Sequence, residues 1–175
     1  GIYSLVSQQK TIYFDFFVDD NHQKLEFTTD SSQNIISNLQ AVNSPQHNAF
    51  FDYIRKINQE GTEFQITKQS LNSKVISDSL KIIEKQKEFE LKILDLEEDF
   101  VAKNSGTFIA DVINIKMEKI LKDVPKASNG RPDSLAVFNY YKNNYWKNIN
   151  FKDDAICRNP FFHGKLKKYF EQVVY

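Results

Sequence analysis

Residues 68 to 103 constrain this chain most. The stretch contains neither Pro nor Gly, and Val75, Ile82, Phe89 and Leu96 fall seven apart, with Leu71, Ile93 and Phe100 beside them. A helix of about 35 residues is roughly 50 Å long at ~1.5 Å per residue. Glu88 and Lys92 offer an i,i+4 pair on its flank. The stripe fits the core of a helical bundle. The alternative is a self-associating coiled coil, because a heptad repeat of this length can also pair between chains.

Ahead of it the pattern is different. "IYSLV" (2–6) and "KTIYFDFFV" (10–18) are rich in aromatic and β-branched residues, which suit a pleated, half-buried surface. "DDNH" (19–22) has turn chemistry, since Asp and Asn bond their own backbone. "QKLEFTT" (23–29) alternates, with Leu25 and Phe27 on one face and Lys24 and Glu26 on the other. The spacing predicts a hairpin of 10–18 with 23–29, flanked by a third strand, and a further strand within 35–42. So few strands need missing neighbours upstream or helices downstream.

After Ser44, a cap, and Pro45, a first-turn residue, Phe50, Phe51, Ile54 and Ile57 recur at helical spacing and Gly61 ends the run. "NSG" (104–106) closes the long helix, and 107–121 resumes with Phe108, Val112, Ile113, Ile120 and Leu121 inward. Residues 122–134, with two of the four prolines, read as a loop, and Asp133 or Ser134 caps a helix over 135–149. A short helix or turn at 151–158 and a last helix over 161–174 follow. Strands first and helices after predict an α+β fold: a short antiparallel sheet, the edge of an incomplete β-sandwich, then a mostly helical bundle with one long helix. Residues 1–43 form the β-rich segment, continuing a domain cut off upstream, and 44–175 the helical domain.

Composition narrows the function classes. Lys plus Arg and Asp plus Glu both number 23, which argues against nucleic acid as a partner, and Arg occurs only at 55, 131 and 158. Mean hydropathy is −0.52, and no apolar run approaches the roughly 20 residues needed to span a bilayer. A single cysteine excludes an internal disulfide or a Cys-x-x-Cys pair within the chain.

The densest chemistry lies in "NNYWKNINFKDDAICRNPFFHGKL" (143–166). Asp153, Asp154, Cys157 and His163 are the one cluster of potential ligands, but no Cys-x-x-Cys, His-x-x-x-His or Glu-x-x-His spacing accompanies them. "DD" suits a helix N-cap. Cys157 reads as a buried apolar residue rather than a nucleophile, and His163 has no nucleophile at triad spacing. His22 and His47 read as solvated, in a turn and a first helical turn. The charge runs at 19–20, 97–99 and 165–168 read as exposed faces. No catalytic, metal or cofactor site is expected. The aromatics have more to offer. Tyr141 and Tyr145, one turn apart, are placed to pack on Phe162 and Phe170, and any exposed part, at Tyr140, Tyr145, Trp146, Phe161, Phe162 and His163, is a candidate docking patch.

The run "FNYYKNNYWKNINFKDDAICRNPFFHGKLKKYFEQVV" resembles a module of unassigned function in bacterial extracytoplasmic TlpA-like thiol–disulfide oxidoreductases. The shared pattern is "YY…YW.NI", an acidic "D…R.P" and "FF..KL..Y". The opening thirty residues and "NSPQHNAFFDYIRKIN" are similar to it as well. The resemblance implies a β-sandwich begun upstream, a helical part, and a thioredoxin domain beyond Tyr175 carrying the redox Cys-x-x-Cys. It implies a non-catalytic accessory domain in the cell envelope, periplasmic or lipid-anchored, that positions the redox domain, recognises clients or self-associates. Cys157 matches no redox motif of that family. An independent peptide- or glycan-binding module, or a dimerisation domain built on the long helix, is the alternative.

Overall fold

The computed structural model is α+β and mostly helical, and describes residues 1–6, 8, 11–20, 24–30 and 35–174. Strands β1 (Ile2–Val6) and β2 (Ile12–Phe17) pair antiparallel, with Ile2 opposite Phe17 and Leu5 opposite Phe14. β3 (Phe27–Thr28) and β4 (Gln40–Ala41) form a second two-stranded sheet, separated by one helical turn, α1 (Ile35–Asn38).

The hairpin expected between 10–18 and 23–29 is therefore not the one formed. Aromatic packing and side-chain bonds decide the pairing. The Phe27 ring sits 5.3 Å from Phe14 and 5.9 Å from Phe51, under the first long helix. Asn43 accepts from the Glu26 amide and donates to the Lys24 carbonyl at 2.7 Å, while Asn48 bonds both the amide and the carbonyl of Ala41. These contacts place 24–28 beside 40–43. The strand expected within 35–42 is present as the two residues of β4, with the helical turn α1 ahead of it. The turn residues Asn21 and His22 lie outside the described residues.

Helix α2 (Pro45–Gln69) starts as the sequence reading expects: Ser44 accepts the His47 amide, and Pro45 takes the first position. It does not stop at Gly61. A mid-helix glycine costs about 1 kcal/mol relative to alanine. Around it Phe64 stacks on Phe89, centroids 4.9 Å apart, and Glu60 holds Lys92 at 2.9 Å, so tertiary packing carries the helix through.

The single long helix is divided. A turn at 70–75 separates α2 from α3 (Ile76–Lys103), whose 28 residues extend about 42 Å. The break needs no Pro or Gly. Ser70 Oγ donates to the Thr67 carbonyl, Asn72 Oδ1 accepts the Lys74 amide, and Asp78 accepts the Asn72 amide. Short polar side chains here compete with the helical backbone pattern. The chain doubles back, and α2 and α3 form an antiparallel hairpin. The seven-residue stripe is its seam, with Phe89 on Phe64 and Phe100 on Tyr53.

Helix α4 (Phe108–Lys116), capped by Thr107, is shorter than the expected 107–121. α5 (Ser134–Asn144) is capped by Asp133, and a 3-10 turn (Asp154–Arg158) leads to α6 (Phe162–Tyr169) and a final π turn (Phe170–Val174). The core gathers Phe14 and Phe17 of the strands with Phe50, Phe51, Ile109 and Val112 of the helices. His47, expected in solvent, is at its centre with 0% exposure, its ring stacked on Phe17 at 3.8 Å. A carbonyl only accepts, so Nε2–H donates to the Phe17 oxygen (2.8 Å) and Nδ1 accepts the Ser44 hydroxyl (2.7 Å). The imidazole thus pins the end of β2 to the start of α2.

Gly61 gives a direct check on this fold. A methyl built there meets nothing within 4 Å, so Gly61→Ala is expected to stabilise the protein by about 0.5–1 kcal/mol in urea unfolding. Destabilisation would mean that α2 does not run through this position.

Candidate functional site

The carboxy-terminal rings form a joint. Tyr145, just past α5, is fully enclosed and its hydroxyl donates to the Lys165 carbonyl at 2.7 Å. Its ring meets Tyr141 edge-on at 5.2 Å and Tyr169 at 5.1 Å. Trp146, half-buried, lies 5.3 Å from Phe151, 5.4 Å from Tyr169 and 6.2 Å from Phe162. The partner of Tyr145 on the last helix is thus Tyr169, not Phe162 or Phe170. Of the candidate patch, the structure brings together Tyr145, Trp146 and Phe162. Tyr140 is half-buried on another side, facing a cavity shared with Ile120, Asn144 and Lys147. Phe161 and His163 are exposed and outside this ring network. Exposed rings at the edge of the joint are Phe151, against Trp146, and Phe170, against Tyr169.

Charges bind this joint to the hairpin. Glu97, expected on an exposed face, is buried; Lys116 donates to it at 2.7 Å, and the Tyr53 hydroxyl lies beside both. Burial alone depresses the Lys116 amine, but the Glu97 hydrogen bond and charge outweigh that, so it stays above its ordinary value. Burial raises the Tyr53 phenol. Lys165, also expected on an exposed face, is half-buried and donates to the carbonyls of Ile115 and Met117, the last turn of α4. Helix α4 ends at Lys116 because Met117 turns extended, Lys165 satisfies carbonyls at that end, and Ile120 and Leu121 lie beyond it. Burial, then the charges of Lys119 and Lys168, push the Lys165 amine down to about 8. Glu118 holds Lys168 at 2.8 Å, and Lys122 bridges Asp95 and Glu98 at 2.8 Å each.

Cys157 corrects the sequence reading: it is exposed, in the 3-10 turn, rather than packed in the core. Exposure alone does not activate a thiol, which needs nearby positive charge or a helix N-terminus. Among the described residues no three His, Cys, Asp or Glu side chains gather as metal ligands. Ser44 and His47 do make a hydroxyl–imidazole pair, but at 1% and 0% exposure neither meets a substrate. No helix of the described residues is long and apolar enough to cross a membrane.

The sequence reading missed the second face of α3. Ile76, Leu80 and Ile83 recur at i, i+4 and i+7 and are 80%, 63% and 64% exposed. The same face continues into half-buried Leu91 and buried Leu94, which lie under the extended segment after α4. Where cover stops, Ile83, Leu91, Ile120, Leu121, Val124 and Val137 border an open groove of about 510 Å³. The spacing was visible in sequence, but the stronger stripe on the opposite side drew the reading.

Two substitutions test the joint. Tyr145→Phe leaves the Lys165 carbonyl without its partner and is expected to cost about 1–2 kcal/mol in denaturant unfolding; no change would remove that bond from the account. For Lys165 the folded chain holds its proton less tightly than the unfolded one, at about 8 against an ordinary 10.5. Between those values the unfolded state binds more protons, so this group adds stability as pH rises. The stability of the wild type relative to Lys165→Met should therefore increase from pH 8 to pH 10.5. A flat or falling difference would contradict the burial of this amine.

Comparison with family models, with curated proteins and with solved structures returns no match for this chain.

Proposed function

We propose that this chain is a non-catalytic accessory domain that works by contact, in the setting its sequence resemblance suggests: beside the redox domain of a cell-envelope thioredoxin-like protein. The observation that carries the reading is the α2–α3 hairpin. Its base is fixed in the core by Tyr53, Glu97 and Phe100, while Ile66, Ile76, Leu80 and Ile83 towards its far end are bare. An exposed apolar row on a rigid element is a contact surface, since single-chain domains rarely leave such rows open without a partner. In that setting the arm would touch clients, the redox domain or another copy. The chain would sit in the periplasm or on a lipid anchor.

Exposed Cys157 makes the proposal testable. A thioredoxin-type catalyst resolves its mixed disulfide with a second thiol of its own, and this chain holds one cysteine. The insulin-reduction assay with dithiothreitol is expected to run at the uncatalysed rate, unchanged by Cys157→Ser. Turnover by the wild type that Cys157→Ser abolishes would refute the accessory reading.

A second reading is favoured by two exposed rings at the edge of the joint, Phe151 at 5.3 Å from Trp146 and Phe170 at 5.7 Å from Tyr169. It makes the joint an independent site for a peptide or a glycan. Iodide quenching of Trp146 fluorescence separates the two: a ligand at the rim lowers the quenching constant, and an indole already inaccessible in the free chain rules the site out.

A further inference from the structure

The bare face of α3 and the groove beside it are two halves of one self-complementary surface. Successive residues of a helix turn by about 100°. On that count Ile76, Leu80 and Ile83 share an arc of roughly 60°, and Leu91 and Leu94 continue it. The amino-terminal part of the stripe projects as a ridge. The carboxy-terminal part, roofed by Ile120 and flanked by Val124 and Val137, is the recess. A surface that carries both shapes along a single helix is satisfied by a second copy turned about a two-fold axis, each ridge in the other's recess.

We propose that the chain forms an antiparallel homodimer through this face of α3. Ile120 closes the recess beyond Leu91, which sets the register: Ile76 of one copy lies level with Leu91 of the other, and Leu80 with Lys87. The Lys87 stem covers Leu80 and its ammonium reaches solvent. Charge supports the same register. Lys81, Glu84 and Glu88 lie along one flank of the stripe, and a two-fold axis across the helices keeps that flank on the same side in both copies. Lys81 of each copy then falls between Glu84 and Glu88 of the other. Glu88 already holds Lys85 of its own chain at 2.7 Å in an exposed pair, so Glu84 is the freer acceptor. The proposal deepens the contact reading by naming a second copy as the occupant. It fails separately from that reading, because a monomeric chain leaves the insulin result untouched.

Sedimentation equilibrium of the intact chain from about 1 to about 200 μM is the test. The expected result is a monomer–dimer equilibrium with Kd on the order of 10 μM. Leu80→Glu should raise that Kd at least about tenfold and leave the thermal midpoint unchanged in protein dilute enough to be monomeric, since Leu80 is exposed in the single chain. Lys81→Glu should weaken it by about two- to fivefold, and Lys81→Glu with Glu84→Lys should restore it. A monomer throughout the range overturns the proposal. So does a dimer indifferent to Leu80→Glu, or a charge reversal that restores nothing.

Discussion

The carboxylate of Glu97 is the constraint on which the rest of this architecture depends. It lies in the last two turns of α3, buried, and the ammonium of Lys116 at the end of α4 and the hydroxyl of Tyr53 on α2 converge on it. The Lys116 side chain keeps 35% exposure, so removing it costs less than the about 3–5 kcal/mol of a fully buried pair, but it still leaves the buried Glu97 carboxylate short of its main partner. Three helices are therefore held in one register at one point. From there the hairpin runs in two directions. Towards Phe100 it enters the aromatic core with Phe50 and Phe51. Towards Phe64 and Phe89 it leaves that core and is held by its own seam.

The same point organises the carboxy-terminal third. Lys116 ends α4 there, and Lys165 takes the carbonyls of Ile115 and Met117 as the chain leaves the helix. Tyr145 in turn takes the Lys165 carbonyl, and the rings of Trp146, Phe162 and Tyr169 close around it. The segment after Met117 is laid across α3, covering Leu94 and stopping short of Ile83. Where that segment stops decides which part of α3 stays bare. The proposed contact surface is thus a consequence of how the core is tied, not a separate addition to it.

Local chemistry made much of this legible in sequence. Ser44 with Pro45, and Asp133, mark helix starts that the structure reproduces, because a cap is a contact within three residues. Of the seven-residue stripe, Phe100 is buried and Ile82, Phe89, Ile93 and Leu96 are half-buried along the hairpin seam, while Val75 falls in the turn and is exposed. What sequence concealed depends on distant partners. Gly61 suggests a stop, but Phe64 and Glu60 bind α3 on both sides of it. The turn at 70–75 is made by Ser and Asn side chains, a weaker signal than Pro or Gly. The strand order follows from where Phe27 packs, some twenty residues before the helix it meets. His47 and Glu97 are polar residues in the core; beside nearby Ser44, His47 bonds Phe17 thirty residues away, and Glu97 takes Lys116 and Tyr53, nineteen and forty-four away, so position alone made them look solvated. Cys157 shows the reverse: a residue type usually buried sits on a turn in solvent. Of the candidate aromatic patch, Tyr145, Trp146 and Phe162 converge and mostly face one another.

Amide hydrogen exchange along the hairpin, measured in dilute and in concentrated protein, tests the central claim most directly. The account predicts strong protection at the base, where α2 and α3 flank Glu97, and weaker protection beyond Phe64 and Phe89 in dilute solution. Concentrating the protein should then slow exchange selectively in the first half of α3. Uniform protection along the whole hairpin in dilute protein, or a concentration effect confined to the strands or the last helix, would contradict it.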